Sequence, residues 1–345
     1  MTRRFFSKLL LVVVAVFGLL VLSSMLSAQG RSQDAFERVK EVQEKHTDRL
    51  MAIEGVEGTA VGLDDSDRPA IKVFIENPGV RGIPRELDGV PVHPVVTGKF
   101  YALPKPEKPG RPQPVNPAAW WPRPVPIGVS TGHPDITAGT IGCRVKDAGG
   151  NVYALSNNHI YANSNRAEIG DNVLQPGPYD GGGKVEGRND VIGNLADYDP
   201  IVFSTSASNT IDAAIALSST GLLGKATPSD GYGTPKSGAV GAYIGQAVQK
   251  YGRTTRLTKG KVYAINATVN VGYDTGVARF VDQIIITPGT FSAGGDSGSL
   301  VVDASKGSNS RKPVGLLFAG SQTFTVANPI DAVLGAFGVT IDGEQ

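Results

Sequence analysis

Cysteine is almost absent from the chain, which has 345 residues and a single cysteine, Cys143. One thiol cannot form an internal disulfide, so the fold is predicted to depend on apolar burial and on hydrogen bonds. A lone cysteine in a strand-like run, here TIGCRVKD, is typical of a small buried apolar residue. We therefore predict a structural role for Cys143.

An excess of charge of either sign is also absent. Lys and Arg total 33, Asp and Glu total 32, and the formal net charge is +1. This balance does not predict binding to nucleic acid or to an acidic partner. The phosphate-binding pattern GxxxxGK[ST] does not occur. Asp171, Asp180 and Asp190 lie in one acid-rich stretch but lack the ligand spacing of a calcium loop, so neither a metal ion nor another cofactor is predicted.

Long apolar runs are lacking too. The run from Leu9 to Leu22 is shorter than the stretch of about 20 residues that spans a bilayer. It follows Arg3, Arg4 and Lys8 and precedes small residues, which is the order of a secretory signal peptide. We predict that residues 1–28 are such a signal and that the protein is secreted or periplasmic. The alternative is an uncleaved anchor, which would hold the chain to a membrane through this segment alone.

Residues 32–103 are predicted to form a small α+β domain. Apolar residues from Phe36 to Ile53 recur at spacings of three and four, which indicates an amphipathic helix. Two strand-like runs around the polar turn DDSD predict a hairpin, and VPVHPVVTGKFYAL predicts another strand. His46 and His93 lie in this domain, and both are predicted to be structural.

Composition changes sharply after this domain. Residues 104–126 are dense in proline and predict an extended, semi-rigid linker with few packed contacts. Within residues 127–345, short apolar runs such as NVYALSNNH, DAAIALS and KGKVYAINATVNVG are separated by Gly, Asn and Asp. Many short strands with regular turns predict a sandwich or a barrel. The segment PIDAVLGAFGV predicts a closing helix.

The candidate chemistry centres on the segment FSAGGDSGSL, in which three glycines surround Ser297. A serine hydroxyl is a poor nucleophile until a base removes its proton. His159 ends the strand-like run in YALSNNHIYAN, where the imidazole would reach a loop, and His133 in STGHPD is the alternative base. Asp212 opens the apolar run IDAAIALS, and a carboxylate buried there needs a partner such as a histidine N–H.

The order His159, Asp212, Ser297 along the chain is the order found in chymotrypsin. The segments LSNNH, IDAAIAL and GGDSGSL resemble those that carry the catalytic triad of the chymotrypsin/trypsin-like serine proteases. VGLLFAGS is similar to the strand that lines their substrate cleft, and YGRTT resembles their bacterial members. The resemblance covers roughly residues 127–340, and it is to the disulfide-free bacterial type.

This resemblance implies both a fold and a set of roles. The fold is an all-β double barrel of two six-stranded antiparallel barrels, preceded here by the small α+β domain. His159 would act as general base, Asp212 would orient it, and Ser297 would be the nucleophile. The backbone N–H groups of Gly295 and Ser297 would form the oxyanion hole. The domain of residues 32–103 stands where secreted bacterial proteases carry a pro-region, and a permanent accessory domain is the alternative.

Two departures from the family pattern need an explanation in this chain. Members of the family often pair a strand cysteine with one that follows the histidine, and Cys143 has no such partner. Asp296, beside the nucleophile, needs a cation, which animal members supply as a newly cut N-terminus. Lys250 or Arg253 would supply it here, so we expect that no freed α-amine is required.

Three residues are predicted to line the substrate pocket: Phe291, Phe318 and Gly320. Phe291 stands six residues before Ser297, where trypsin has an aspartate that binds Lys or Arg. A strong preference for basic residues is therefore not expected. Gly320, in the segment FAGS, should leave the pocket wall open.

These observations together predict an exported serine endopeptidase that hydrolyses peptide bonds through an acyl-enzyme intermediate. Its partner would be a protein or peptide substrate, and no nucleic acid is expected. Two alternatives remain open at this point. One is a catalytically idle binding protein on the same fold. The other is an esterase that uses the same triad.

Overall fold

The structure is a computed structural model that describes residues 33–103 and 115–345. The predicted signal peptide, residues 1–28, lies outside the described residues, as does the part of the predicted linker from residue 104 to residue 114. Within the described ranges, no helix is long and apolar enough to cross a membrane.

The N-terminal unit, residues 33–103, consists of one long helix and five strands. The amphipathic spacing of its first segment does form a helix, because the apolar face packs on the sheet and is withdrawn from water. The bounds are α1 (33–51), β1 (Val56–Leu63), β2 (Pro69–Ile75), β3 (Glu86–Leu87), β4 (Val90–Val96) and β5 (Phe100–Ala102).

The regular secondary structure of residues 127–345 is almost entirely β-strand, as the alternation of short apolar runs with turn residues predicts. The first half contains β6 (Ser130–Thr131), β7 (Gly139–Thr140), β8 (Cys143–Asp147), β9 (Val152–Ser156), α2 (Asn158–Tyr161), β10 (Asn172–Leu174), β11 (Val191–Tyr198) and β12 (Ala214–Ser218). The second half contains β13 (Ala247–Gly252), β14 (Arg256–Tyr273), β15 (Gly276–Thr287), β16 (Leu300–Asp303), β17 (Pro313–Gly320), β18 (Thr325–Pro329), α3 (Ile330–Phe337) and β19 (Val339–Ile341). Short 3-10 turns cover Pro178–Asp180 and Gly289–Phe291.

The strands of the second half close into a barrel. Their order is β13–β16–β17–β18–β15–β14, and β14 pairs back with β13, so six antiparallel strands form a ring. Five strands of the first half and the C-terminal β19 form a six-stranded antiparallel sheet in the order β10–β11–β12–β9–β8–β19. The predicted all-β architecture of two six-stranded units behind a small α+β part is confirmed.

The N-terminal unit continues the sheet of the second barrel. Strand β14 is 18 residues long, and its outer part pairs with β1 in the register Gly58↔Val269 and Thr59↔Thr268. Strand β5 pairs with both β14 and β17. The main chain of residues 33–103 is therefore hydrogen-bonded to the second barrel through both β1 and β5.

One expectation about the proline-rich linker needs correction within the residues described. The stretch 115–126 is packed, although its composition predicts few contacts. Val125 is fully buried, its N–H donates to the Leu222 carbonyl at 2.9 Å, and Arg123 donates to Gln175 Oε1 at 2.8 Å. Proline fixes the backbone but does not prevent the apolar and polar side chains between prolines from packing.

Cys143 is buried in β8, as the strand-like run predicts, and it is not in a disulfide. Burial raises the pKa of its thiol well above the usual value, so the thiol stays protonated. A protonated, enclosed thiol is chemically inert, which agrees with a structural role.

The continuous sheet predicts that the N-terminal unit and the barrels unfold together. Leu50, which is 1% exposed, packs in the core beneath α1, and Leu50→Ala should lower the free energy of unfolding by about 2–5 kcal/mol. The two tryptophans, Trp120 and Trp121, lie outside this unit, so their fluorescence reports on the rest of the chain. Urea unfolding monitored by tryptophan fluorescence should therefore show the lower free energy of unfolding.

Val202→Ala is the matched control, because Val202 is 59% exposed and its truncation should change stability by less than about 0.5 kcal/mol. An unchanged tryptophan transition in Leu50→Ala would mean that the N-terminal unit unfolds independently of the barrels.

Candidate active site

His159 is held at the start of a one-turn helix that directly follows β9. Its ring nitrogen Nδ1 lies 2.6 Å from Asp212 Oδ2, and its backbone N–H donates to Asp212 Oδ1 at 3.1 Å. Because a carboxylate accepts, Nδ1 carries the proton, and in the neutral ring Nε2 keeps its lone pair. Nε2 is buried and has no hydrogen-bond partner among the residues described. The imidazole therefore presents an unused basic nitrogen.

Asp212 is fully buried, as expected for an aspartate that precedes the apolar strand β12. The main chain around it is fixed by two amides. Asn157 Nδ2 donates to the Asp212 carbonyl at 2.7 Å, and the Asp212 N–H donates to Asn328 Oδ1 at 3.1 Å. These contacts come from both halves of the molecule, so the carboxylate lies where the first half meets the second barrel.

Tyr273 is a residue of this site that the sequence did not reveal. It ends β14, and its hydroxyl donates to Asp212 Oδ2 at 2.9 Å. Its ring also packs edge-on against His159, with 5.9 Å between the ring centres. Burial, and then the charge of Asp212, raise the pKa of Tyr273 well above its usual value, so the hydroxyl remains a donor.

Ser297 lies in a tight loop that glycines make possible. Gly295 and Gly298 have φ of +93° and +89°, a region that other residues rarely adopt. Ser297 is 1% exposed, and its Oγ lies 3.5 Å from the Phe318 carbonyl, a marginal hydrogen bond. No hydrogen bond joins Ser297 to His159 among the described residues.

Thr140 links the serine loop to the strand that carries the histidine. Its N–H donates to the Ser297 carbonyl at 2.8 Å, its hydroxyl donates to the Gly295 carbonyl at 2.9 Å, and its own carbonyl accepts from Ser156 Oγ at 2.8 Å. Ser156 is the last residue of β9 and stands three positions before His159. A Cβ on Gly298 would lie 2.1 Å from Ser156 Oγ. The loop and the end of β9 are therefore in direct contact.

The two N–H groups assigned to the oxyanion hole are available. Within the described ranges, the N–H of Gly295 and that of Ser297 are not used in hydrogen bonds inside the loop. The neighbouring amides are used, since the Asp296 N–H donates to Ala293 and the Gly298 N–H donates to Leu317. These two N–H groups of the loop are therefore unused donors among the residues described.

Lys250, and not Arg253, is the cation of Asp296. The Lys250 ammonium lies 3.3 Å from Asp296 Oδ2, and neither side chain is exposed. Burial lowers the pKa of Lys250, although the Asp296 carboxylate opposes that shift. Asp296 also accepts from the backbone N–H groups of Thr254 and Thr255. An internal lysine thus supplies the cation that Asp296 needs.

Arg253 pairs with Asp180, one of the acid-rich stretch. The other two acids of that stretch are also paired. Asp171 accepts from His133 at 3.0 Å, and Asp190 accepts from Arg188 at 2.6 Å. His133 is therefore engaged away from Asp212. No group of acids, histidines or cysteines with metal-site geometry occurs among the residues described.

The three predicted pocket residues contribute in different ways. Phe291 is fully buried, and its ring lies 5.9 Å from the Lys250 ammonium. Phe318 turns its ring into the barrel core, 4.8 Å from that of Phe280, so that only its carbonyl faces Ser297. Gly320 contacts Leu103, whose Cδ2 would lie 3.1 Å from a Cβ at that position.

A cleft of about 700 Å³ opens beside His159. Its walls include His159 and Tyr273, together with Tyr101, Ala102 and Leu103 from the end of the N-terminal unit. His159 therefore borders a space of the size that ligand-binding clefts typically have.

Comparison with known sequences places this chain near bacterial serine proteases. A family model described as the Nal1 C-terminal domain matches residues 221–326. Glutamyl endopeptidase 2 of Streptomyces griseus is 33% identical over 115 residues, which are 30% of this chain and 52% of the relative. Streptogrisin-A of the same organism is 33% identical over 102 residues, 29% of this chain and 32% of the relative. The chain thus matches about half of one relative's length and a third of the other's.

Two solved structures match similar shares of this chain. The Nocardiopsis protease NAPase has 18% identity and a TM-score of 0.44, with 63% of this chain and 98% of that chain covered. Cellulomonas bogoriensis chymotrypsin has 20% identity and a TM-score of 0.42, with 63% and 97% covered. The family predicted from the sequence, the chymotrypsin/trypsin-like serine proteases, is the one that the comparisons support.

The Tyr273 hydroxyl predicts a measurable effect on the nucleophile. Tyr273→Phe keeps the ring beside His159 but removes one donor from Asp212. A hydrogen bond to a charged group contributes about 1.5–3 kcal/mol, so the rate of Ser297 labelling by a fluorophosphonate should fall about ten- to a hundredfold. Tyr263→Phe, on the same strand but stacked on Phe324, is the matched control and should leave the rate unchanged. Equal labelling rates in the two variants would show that the Tyr273 hydroxyl has no effect on the reactivity of Ser297.

The buried Lys250–Asp296 pair predicts a large loss of stability when it is broken. Lys250→Met leaves a buried carboxylate without its cation and should cost about 3–5 kcal/mol in urea unfolding. The same change in an exposed pair, Lys45→Met beside Asp88, should cost less than about 1 kcal/mol. Lys250→Met combined with Asp296→Asn should recover part of the loss. A small effect of Lys250→Met would show that another group compensates Asp296.

Proposed function

We propose that this protein is a serine endopeptidase that hydrolyses peptide bonds through His159, Asp212 and Ser297. The observation that carries the proposal is the His159–Asp212 pair, whose histidine has an unpartnered Nε2 and follows the end of β9 that contacts the glycine-rich serine loop. A buried carboxylate fixes the imidazole tautomer and stabilises the imidazolium once it forms. The names of the curated relatives, an endopeptidase and a streptogrisin, support the same reaction class.

In the proposed first step, the Ser297 hydroxyl turns from the Phe318 carbonyl toward His159. Nε2 takes its proton while Oγ bonds to the carbonyl carbon of the substrate. The carbonyl oxygen becomes an oxyanion and accepts from the N–H groups of Gly295 and Ser297. Asp212 keeps its charge throughout and balances the imidazolium.

Collapse of this intermediate breaks the bond between carbon and nitrogen. His159 gives its proton to the departing amine, and an acyl group remains on Ser297. Water then repeats the sequence: His159 accepts a water proton, the hydroxide adds to the acyl carbon, and the proton returns to Ser297 Oγ. The products are a carboxylic acid and an amine, and the side chains regain their starting state.

A peptide substrate is favoured over a small ester by the shape of the cleft. Strand β5 lies along it and pairs with the end of β17, whose main-chain groups would pair with a substrate strand once β5 is displaced. Main-chain pairing at a sheet edge gives a peptide affinity that does not depend on its side chains. A small ester would leave these groups unused.

We further propose that the protein is exported and acts outside the cytoplasm. The support is the order of basic, apolar and small residues in residues 1–28. Its partners would be proteins or peptides met there. No nucleic acid is expected, because the formal net charge is +1.

The proposal predicts that a fluorophosphonate labels the full chain on Ser297 to completion over a long incubation. Ser297→Ala should not be labelled, whereas Ser219→Ala, an exposed serine outside the cleft, should be labelled fully. Hydrolysis of peptides should fall about a million-fold in Ser297→Ala or His159→Ala, and about ten-thousandfold in Asp212→Asn. Mass spectrometry of the labelled chain and of a digested peptide library gives both measurements.

The rival functions predict different results. An idle binding protein would leave Ser297 unlabelled at every time point. An esterase would be labelled and would hydrolyse simple esters but no peptide in the library. Either result would overturn the endopeptidase proposal.

A further inference from the structure

A short strand of the N-terminal unit lines the cleft and lies against β17. Strand β5 pairs antiparallel with β17 in the register Ala102↔Ala319 and Tyr101↔Gly320. On its other side it pairs parallel with the end of β14. Residues 100–102 thus add a strand beside β17, as a bound peptide would.

The register brings the next residue to the nucleophile. Because the pairing is antiparallel, Leu103 follows Ala102 to the position opposite Phe318. The Phe318 carbonyl is the group that the Ser297 hydroxyl contacts, at 3.5 Å. Leu103 also lies in the same cleft as His159. Among the described residues 100–103, Leu103 is therefore the one that lies beside the Phe318 carbonyl and the Ser297 hydroxyl.

The Leu103 side chain enters an apolar site. It packs against a buried cluster that contains Phe291 and Leu317, and it contacts the backbone at Gly320. The Lys250 ammonium lies close to the Phe291 ring but is bound by Asp296 and by the Arg256 carbonyl. It is therefore engaged and does not provide a free charge for a substrate carboxylate.

We propose that Tyr101, Ala102 and Leu103 occupy the substrate groove as a substrate does, and that the site selects an aliphatic side chain of leucine size at the residue whose carbonyl is attacked. This inference rests on the proposed peptidase function. It sets the chain apart from its relative named a glutamyl endopeptidase, because an acidic side chain in this apolar site would lose its hydration without gaining a partner.

The occupied groove has a kinetic consequence. Leu103 is covalently joined to the unit that pairs with β14, so its effective concentration at the cleft is high. An external peptide must displace this segment before it can bind. The intact chain should therefore react slowly, while the final extent of its reaction is unaffected.

Side-chain selection is tested with the full-length protein and four peptides. They share the sequence Phe-Tyr-Ala-X, end in a chromogenic amide, and have Leu, Met, Glu or Lys as X. We expect kcat/KM for Leu to exceed that for Glu and Lys by at least about a hundredfold, with Met close to Leu, because desolvating an unpaired charge is costly. Equal or faster cleavage after Glu or Lys would overturn the proposal.

Occupancy is tested by the rate at which Ser297 reacts with a fluorophosphonate. Leu103→Glu should raise this rate at least about tenfold, because a charged side chain is expelled from the apolar site and the groove opens. Leu103→Met, of similar volume, is the matched control and should stay within about threefold of the unchanged chain. Equal rates in Leu103→Glu and the unchanged chain would overturn the proposal.

The outcomes separate this inference from the function on which it rests. If Ser297 is not labelled in any form of the chain, the peptidase proposal fails, and this inference fails with it. This inference alone fails in two cases in which Ser297 is still labelled fully. In one, Leu103→Glu is labelled no faster than the unchanged chain. In the other, peptides with Glu or Lys are cleaved as fast as the peptide with Leu. The peptide series uses the unchanged protein, so it decides the question even if Leu103→Glu does not fold.

Discussion

The site depends on how a fully buried carboxylate is satisfied. Asp212 would be costly to enclose alone, and it accepts from the His159 ring, from the His159 backbone and from the Tyr273 hydroxyl. The histidine comes from the first half of the molecule and the tyrosine from the long hairpin of the second. Satisfying one charge therefore requires the two halves to dock in a single arrangement, and that arrangement creates the cleft.

The conformation of the serine loop also depends on contacts between the two halves of the molecule. Its left-handed glycines turn the chain sharply, and Thr140 from the opposite half fixes its carbonyl groups. The Asp296 carboxylate accepts from the Ala293 N–H across the loop, and Lys250 neutralises it where neither side chain is exposed. The loop is thus preorganised by the body of the protein, and its two unused N–H groups are held in place before any substrate binds.

The sequence predicted the elements that local pattern controls. His159, Asp212 and Ser297 stand in recognisable segments, and the alternation of short apolar runs predicted the strands around them. Lys250 was one of two candidates for the Asp296 cation. Sequence spacing could not separate it from Arg253, because the choice depends on Asp180, which the fold brings to Arg253 from a distant loop.

Other features were beyond a local pattern. Tyr273 is 61 positions from Asp212 and belongs to no motif, so only the three-dimensional course of β14 brings it to the carboxylate. Residues 100–102 were predicted as part of a strand, but a strand pattern does not predict which strands it pairs with, here β14 and β17. The proline-rich composition of the stretch 115–126 predicted few packed contacts, and this was wrong, because Val125 is fully buried between prolines.

The pairing of β1 with β14 has one more consequence. It covers the main-chain groups of β14 between Ile265 and Val269, which would otherwise form an unpaired sheet edge. Such an edge invites pairing with other chains and leads to aggregation. Residues 33–103 therefore act as an edge cover, and a shortened protein without them would need another way to remain soluble.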